Sequence, residues 1–468
     1  MSGAAERIGL IANAQVRFLM VDIARALRER LGSTIHLYCT TEQIRRHYQA
    51  ENTDGVFASI TGGMGLVNLT RGPDGDLSGL YAKGREYEQR IGRTYNSLAV
   101  GDRHLGRGYA LAGNRHPRSR MAMESEYPDL VHSYNEHFDR WQREINDKRL
   151  TLILGGSTEI PGITRANGVP FRRLAGSRYK NYHYWAHDEY NSNPYLKTVF
   201  HGIKSGERQQ HRQVDAYKLV GTHTKKFLRE KSFVNLVKRM GGHALRRGYW
   251  RIRGYEKAKN YYARDELAMF WRQWRDTRRM TRPGMAKLSD LADLPFVFFP
   301  LATEPEASMG QFSPEFFFQH AAIAALSRDL PVGVKLVVKE TMWGIGRRPS
   351  DFYEQIGELK NVIWLDMLEP GIRIAEQAAA VATISGSTGF EAAIHGTPVV
   401  SFGAHNLYSI LPHVAVVSDL ARLGEHLGPF LHADFDRQAA QAAGTRFLNA
   451  IAATSFDLGE YDYIDLKK

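Results

Sequence analysis

Short apolar runs alternate with segments of helical spacing in two parts of the chain, and this pattern limits the fold more than any other feature. In the first part, Ile8–Ala12 and Thr34–Cys39 are predicted strands, and Phe18–Leu31 between them is a predicted helix. A further strand is predicted at Leu150–Leu154. Because strands that alternate with helices form a mostly parallel sheet covered by helices, the first part predicts an α/β domain.

The same pattern begins again after the hinge-like sequence Arg282-Pro283-Gly284. The predicted strands of this second part are Phe296–Phe299, Val334–Val338, Val362–Leu365, Ala382–Ile384 and Val399–Phe402. The predicted helices between them are Pro314–Arg328, Asp351–Leu359, Ile372–Ala379 and Gly389–His395. Since these strands are short and apolar throughout, they predict a sheet that is buried on both faces.

Together the two parts predict an α/β fold of two Rossmann-like domains that face a cleft. The N-terminal domain is predicted at residues 1–285 and the C-terminal domain at 286–433, followed at 434–468 by an alanine-rich helical tail that crosses back over the hinge. Ligands of such sheets bind beyond the carboxyl ends of the strands. The expected site therefore lies there, between the two domains.

The positive charge of the chain is concentrated in one segment. The formal net charge is +12 overall, whereas residues 204–282 alone contain 22 basic and seven acidic residues, interleaved with aromatic side chains. This helical segment is read as an insertion in the N-terminal domain. Basic residues among aromatic ones bind an anionic membrane, a phosphorylated substrate or nucleic acid. A solvated basic helical face is the alternative interpretation.

Composition narrows the class of protein further. The single cysteine, Cys39, excludes an internal disulfide. The longest apolar runs, such as Phe296–Pro300, are far shorter than the roughly 20 residues of a membrane span. The first residues also lack the basic and apolar regions of a secretion signal. A soluble cytoplasmic protein is therefore expected, peripheral on the inner face of the cytoplasmic membrane if the basic segment binds lipid.

The stretch Ser385–Glu391 is the strongest candidate for a binding site. A predicted strand ends in a loop of glycine and hydroxyl residues, and a helix is predicted from Gly389. Free N–H groups and the helix dipole at such a junction bind phosphate, and Ser387 and Thr388 would add hydroxyl donors. Glu391, one turn inside the helix, is suited to the sugar hydroxyls of a nucleotide. An ordinary capped strand–helix turn is the alternative, because these residue types are common there.

Four segments form a recognisable combination of motifs. They are Ser385–Glu391 with Gly396-Thr397-Pro398, Phe298–Leu301 leading to Glu304–Ser308, Val337–Glu340 with Gly346–Pro349 and Phe352-Tyr353, and Gly101–Leu105. Together they resemble the capsule and surface polysaccharide biosynthesis family of GT-B glycosyltransferases, in particular capsular Kdo-transferase-like proteins. The resemblance covers most of residues 290–405 and, more thinly, 95–120.

The resemblance implies a metal-independent enzyme that moves a sugar from a nucleotide-sugar donor to a growing capsular or lipopolysaccharide glycan or glycolipid. The predicted donor-binding residues are Lys339, Arg347, Ser385, Gly386, Ser387, Thr388, Gly389 and Glu391, and the predicted catalytic carboxylates are Asp102 and Glu306. Cationic side chains and the helix dipole would stabilise the leaving phosphate without any cofactor. Where relatives have His-Pro after Lys-Glu, this chain has Thr341-Met342, which argues against a CMP-sugar donor.

The stretch Tyr179–Tyr195 contains a weaker candidate site. His183 and His187 have the i, i+4 spacing of two metal ligands on a helix, but no third ligand is evident and no metal is expected. The tyrosines and Trp185 of this stretch are suited instead to stacking on the sugar rings of an acceptor.

Two other functions remain as alternatives to a glycosyltransferase. A sugar-nucleotide epimerase would use the same two-domain architecture and the same glycine-rich loop. A non-catalytic protein that binds a membrane or nucleic acid would explain the basic segment but not the motifs of the C-terminal domain. Nucleic acid is the less favoured partner, because the sequence contains no recognisable RNA- or DNA-binding module.

Overall fold

The computed structural model describes residues 6–12, 17–52, 54–66, 69–100, 124–203, 224–254, 263–303, 313, 316, 319–432 and 434–458. The chain forms two compact units. Of the described residues, those within 6–100, 124–199 and 451–458 form the first unit, and those within 200–450 form the second.

The secondary structure alternates as the sequence predicts. The strands are β1 (Arg7–Ile11), β2 (Thr34–Tyr38), β3 (Ser59–Thr61), β4 (Leu152–Leu154), β5 (Phe171–Gly176), β6 (Tyr182–Ala186), β7 (Phe296–Pro300), β8 (Lys335–Lys339), β9 (Val362–Leu365), β10 (Ala380–Thr383), β11 (Val399–Ser401), β12 (Val414–Val416) and β13 (Phe456–Asp457). The helices are α1 (Arg17–Leu31), α2 (Glu42–Glu51), α3 (Ser78–Ile91), α4 (Tyr95–Val100), α5 (Tyr127–Lys148), α6 (Ile160–Ala166), α7 (Leu196–Gly202), α8 (Phe233–Ile252), α9 (Ala263–Met280), α10 (Gln319–Asp329), α11 (Phe352–Gly357), α12 (Gly371–Gln377), α13 (Ser387–Ile394), α14 (Leu423–Leu431) and α15 (Arg437–Thr454).

The first unit contains a seven-stranded sheet in the order β13-β6-β5-β4-β1-β2-β3. The five strands from β5 to β3 are parallel, while β6 and β13 are antiparallel at one edge. One apolar cluster of this unit includes Phe138 and Trp141 of α5, and a second includes Leu10 of β1 and Leu37 of β2. The sheet is thus enclosed by helices, as expected for a parallel sheet.

The second unit contains a six-stranded sheet in the order β12-β11-β10-β7-β8-β9, and every pair of neighbours is parallel. Counted along the chain from β7, this is the strand order 3-2-1-4-5-6 of a Rossmann sheet. The order reverses between β7 and β10, so the carboxyl ends of these two strands flank the position where such sheets bind ligands. The predicted α/β class with two Rossmann-like sheets is therefore confirmed.

The described part of the basic segment packs on the second unit. Phe227 and Met280 belong to the apolar cluster of that unit, which also includes Val297 and Phe299 of β7. The predicted domain boundary at residue 285 differs from this division, because Phe227 and Met280 of the basic segment are buried in the apolar cluster of the second unit. The final helix α15 is assigned to the second unit up to Ala450 and to the first unit from Ile451.

The aromatic and histidine-rich composition of residues 176–200 predicts a loop, and the structure differs from this expectation. These residues contain β6, which pairs with β5, and the first residues of α7. Tyr182, Tyr184 and Trp185 of β6 belong to residue types that fit a strand as well as a loop, so composition alone does not distinguish the two. Of the helices that the structure describes, none combines the length and apolarity needed to cross a bilayer.

Candidate active site

The loop after β10 leads directly into α13 at the point where the strand order of the second sheet reverses. Strand β10 ends at Thr383, Gly386 is the N-cap residue, and α13 begins at Ser387, two residues earlier than predicted. Ser387 and Thr388 are therefore the first two residues of the helix. This brings their backbone N–H groups into the first turn, where N–H groups have no intrahelical acceptor.

Side chains that the sequence analysis did not single out hold this loop in place. The Gly386 N–H donates to Thr383 Oγ1 at 3.2 Å. Asn406 Nδ2 donates to the Ile384 carbonyl oxygen at 2.9 Å and to Ser401 Oγ at 3.1 Å. A hydroxyl residue at a strand end and an asparagine after the next strand are the only sequence signals for this arrangement.

The first turn of α13 is open to a ligand. Gly386 has no side chain with which to cap the helix, and its φ of −70° and ψ of 154° are ordinary for an N-cap residue. Ser387 is exposed and Thr388 is half-buried. The positive end of the helix dipole and the N–H groups of this turn are suited to an anion such as phosphate.

Lys339, the last residue of β8, lies close to the start of α13. A β-carbon built on Gly371 would lie 3.9 Å from both Lys339 Cε and Thr388 Oγ1, so these two atoms are within about 8 Å of each other. The register pairs Lys339 with Pro300, the last residue of β7. The lysine and the helix terminus therefore share the carboxyl edge of the sheet.

None of the carboxylates in the described residues neutralises the ammonium group of Lys339. Its Nζ donates at long range to the carbonyl oxygens of Met367 at 3.4 Å and Glu340 at 3.5 Å, and none of the described carboxylates lies within 4 Å of it. Burial lowers its pKa below the usual range of lysine, while the nearby charges of Glu340, Asp366 and Glu369 act in the opposite direction. A bound anion would relieve this cost of burying a cation.

The neighbouring Glu340 has a structural role. Arg348 donates to both of its carboxylate oxygens at 2.8 Å, and both side chains are fully buried. Tyr353 Oη and the Thr341 N–H donate to the same carboxylate at 2.8 and 2.7 Å. Because Glu340 is saturated with hydrogen bonds, it is unavailable to Lys339, and removing one of its partners would leave a buried charge.

Arg347 lies near a different part of the second unit. It follows Gly346, where a β-carbon would come within 2.6 Å of the Gln273 backbone nitrogen in α9. Its positive charge acts on Lys231, which precedes α8 in the sequence. The structure thus brings Lys339 together with the first turn of α13, and it brings Arg347 together with the basic helices.

Gly389 is explained by packing inside the protein. A β-carbon on Gly389 would lie 2.5 Å from Thr383 Cγ2 and 2.6 Å from Tyr408 Oη. Ser385 is likewise buried, while Glu391 is half-buried one turn into the helix. Close approach of a nucleotide to the backbone is therefore not needed to explain the glycine, although Gly386 has more open surroundings.

The two predicted catalytic carboxylates, Asp102 and Glu306, lie outside the described residues. Their roles remain predictions.

Elsewhere in the second unit, a cavity of about 370 Å³ is lined by Lys287, Ser289, Glu369, Pro370 and Arg373 among others. Its volume is within the range of small-molecule sites, and it borders the residues that begin α12.

The histidine pair of the first unit does not have the geometry of a helical metal site. His183 lies in β6, where its Nδ1 is 2.9 Å from the Asn181 carbonyl oxygen, and His187 follows the end of that strand. Across the described part of the chain, no group of three or more His, Cys, Asp or Glu residues is placed to hold a metal ion. Trp185 of β6 contacts Phe456 of β13, with ring centroids 6.3 Å apart.

No protein-family model matches the chain, and no curated protein matches it. Several solved structures are similar to it at low identity. The beta Kdo 2,7 transferase KpsC of Thermosulfurimonas dismutans is 15% identical, over 66% of this chain and 80% of that one, with a TM-score of 0.33. WaaG, a glycosyltransferase involved in lipopolysaccharide biosynthesis, is 12% identical over 93% and 94% of the chains, with a TM-score of 0.32.

A UDP-N-acetylglucosamine 2-epimerase is also similar, at 10% identity over 96% of this chain and 94% of that one, with a TM-score of 0.25. All of these likenesses are too distant to transfer an activity to this chain.

Proposed function

We propose that the protein is a GT-B-type glycosyltransferase that takes a sugar from a nucleotide-sugar donor. One observation carries this proposal: the open first turn of α13 and the ammonium group of Lys339, which none of the described carboxylates neutralises, share the carboxyl edge of a Rossmann sheet, where its strand order reverses. Nucleotide phosphates bind at this position in such sheets. The motif resemblance to surface polysaccharide enzymes supports a glycan or glycolipid acceptor.

In the proposed reaction, the phosphate that leaves the anomeric carbon gains negative charge as the glycosidic bond to the nucleotide breaks. The N–H groups of Ser387 and Thr388 and the Lys339 ammonium group stabilise that charge, as preorganised donors do at an oxyanion. Glu391 accepts hydrogen bonds from hydroxyl groups of the donor. Asp102 takes the proton of the acceptor hydroxyl, with Glu306 as the second candidate for this role.

The experiment that tests this function follows labelled sugar nucleotides with and without a lipid-linked surface glycan as acceptor. A transferase moves the label into the glycan only when the acceptor is present. An epimerase instead converts the donor to its isomer in acceptor-free buffer, and a protein that only binds does neither. Asp102→Asn and Glu306→Gln separate binding from chemistry, because loss of the catalytic carboxylate lowers kcat while donor affinity is kept.

We further propose that α8 attaches the protein to an anionic membrane, where a lipid-linked acceptor would be found. The exposed side chains of Val234, Val237, Leu245 and Ile252 follow helical spacing along one face of α8, and Ile252 is 85% exposed. The exposed basic residues Lys238, Arg246, Arg251 and Arg253 surround this face. An apolar stripe flanked by cations is typical of a helix that lies in the interface of an anionic bilayer.

A further inference from the structure

A second group of cations gathers around one amide of α9. Lys231 Nζ donates to Gln273 Oε1 at 2.8 Å, and Arg239 Nη1 of α8 donates to the same oxygen at 3.3 Å. Gln273 itself is buried at 8% exposure. Two positive side chains therefore share a single neutral acceptor.

Within the described residues, no ion pair balances the positive charges of Lys231 and Arg239. None of the carboxylates that the structure describes lies within 4 Å of Lys231 or Arg239, and the nearest acidic groups, Glu230 and Glu266, act on them only from a distance. Both cations are half-buried, with Lys231 beside the ring of Phe227 and Arg239 stacked 4.1 Å from the ring centroid of Phe270. Two partly buried positive charges that lack a carboxylate partner are unfavourable unless an anion binds between them.

The loop after β8 adds a third cation. Gly346, with a φ of +77°, packs against Gln273, and Arg272 Nε donates to the Gly346 carbonyl oxygen at 3.4 Å. The next residue, Arg347, is among the groups whose charge acts on Lys231. The cluster therefore joins α8, α9 and the loop that follows the carboxyl end of β8.

We propose that Lys231, Arg239 and Arg347 form a second anion site, separate from Lys339 and α13, which binds a phosphate group of a diphosphate ligand. A planar guanidinium and a flexible ammonium group are the usual ligands of phosphate oxygens, and they bind through charge-assisted hydrogen bonds. The site does not depend on the proposed transfer reaction, because binding alone tests it.

The cluster also predicts how binding depends on pH. Burial and the neighbouring charges of Arg239 and Arg347 lower the pKa of Lys231 to about 8, and Glu230 opposes this shift. Lys231 therefore loses its proton as the pH rises through about 8, and the affinity for an anion falls with it. In Lys231→Arg the charge persists at that pH, so this fall disappears.

The test measures inorganic pyrophosphate binding by calorimetry to the full chain carrying Lys339→Met, which disables the first proposed site. Adding Lys231→Met is expected to weaken binding about ten-fold or more. The matched control, Lys238→Met, changes an exposed lysine of α8, seven residues after Lys231, and is expected to leave the affinity unchanged. Unchanged thermal stability in Lys231→Met separates loss of a ligand contact from loss of structure.

Two further probes distinguish the source of the phosphate. If Lys231→Met weakens the binding of uridine diphosphate, the site serves a nucleotide. If Lys231→Met instead weakens the binding of geranyl diphosphate, the site serves a lipid-linked substrate. Equal pyrophosphate affinity in Lys231→Met and Lys238→Met would overturn the proposal. So would absence of pyrophosphate binding, or a pH profile that is the same in the lysine and Lys231→Arg proteins.

Discussion

Gly389 stands at the centre of the candidate site, yet its surroundings are those of a core residue. Its missing β-carbon leaves room for the Thr383 methyl group and the Tyr408 hydroxyl, which fix the start of α13 against the strand before it. A substitution here therefore acts first on folding. Loss of ligand binding in such a variant would carry no information about contact with a nucleotide.

We expect Gly389→Ala to lower the free energy of unfolding by about 1–3 kcal/mol, the usual cost of overpacking a buried position. Gly386→Ala is the matched control, because its β-carbon would meet only Thr383 Oγ1 at 3.1 Å and the Thr388 nitrogen at 3.9 Å. Urea unfolding of the two variants measures the difference. Equal stability of the two would contradict the packing role of Gly389.

Five of the six strands of the second sheet could be predicted from the sequence, because each is a short apolar run, whereas only β1, β2 and β4 were predicted among the seven strands of the first sheet. The start of α13 was predicted two residues late, since serine and threonine at the first helical positions also fit a loop. Lys339 was singled out as a donor-binding residue alongside the family resemblance, and this role stays a prediction. Glu340 is bound by Arg348, eight residues after it, and is therefore unavailable to Lys339. No local sequence pattern reveals this pairing.

The exposed apolar face of α8 leads to a prediction about vesicle binding by the protein. Leu245→Glu with Ile252→Glu places two acidic groups on the proposed membrane face, so binding to vesicles of phosphatidylglycerol and phosphatidylcholine should fall several-fold. Val332→Glu is the control, because Val332 is fully exposed elsewhere in the second unit. Co-sedimentation at low and high salt measures the effect.

Wild-type protein should bind the anionic vesicles at low salt and be released at high salt. Equal recovery of the protein with pure phosphatidylcholine vesicles would contradict the proposed attachment to an anionic membrane. Equal binding of the double variant and the Val332→Glu control would remove α8 from the contact, while leaving the proposed transfer reaction unaffected.

The division of the chain into two units was the hardest feature to predict from the sequence. Composition changes sharply at Arg282-Pro283-Gly284, and this change was read as a domain boundary. The basic helices before it nevertheless pack on the second unit through Phe227 and Met280. A change in composition marks a change in solvent-exposed residues, whereas the packing partner of a helix depends on a few apolar side chains that are distant in sequence.

The stability of the chain should fall in mild acid, because buried histidines in both units resist protonation. Burial lowers the pKa of His137 in α5 to about 3, and it also lowers the pKa of His413 in the second unit. Below pH 6.5 the unfolded chain takes up protons that the folded chain excludes. Each such histidine therefore lowers the free energy of unfolding by up to about 1.4 kcal/mol per pH unit.

We expect His137→Gln to reduce this loss between pH 6.5 and 4.5, as measured by urea unfolding at each pH. His47→Gln is the control, because His47 is exposed in the same unit. If both variants lose stability with acid as steeply as the unsubstituted protein, buried His137 does not contribute to the acid sensitivity.

The central claim is that the carboxyl edge of the second sheet holds the phosphate of a sugar nucleotide. It is tested most directly by calorimetric titration of UDP-, GDP-, dTDP- and CMP-sugars into the unsubstituted protein, Lys339→Met and Lys335→Met. Lys335 begins the strand that Lys339 ends, so the two variants remove one lysine from opposite edges of the same sheet. We predict that at least one sugar nucleotide binds, that Lys339→Met weakens it about ten-fold or more, and that Lys335→Met does not. Equal affinity of the two variants, or no binding of any sugar nucleotide by the unsubstituted protein, would contradict the claim.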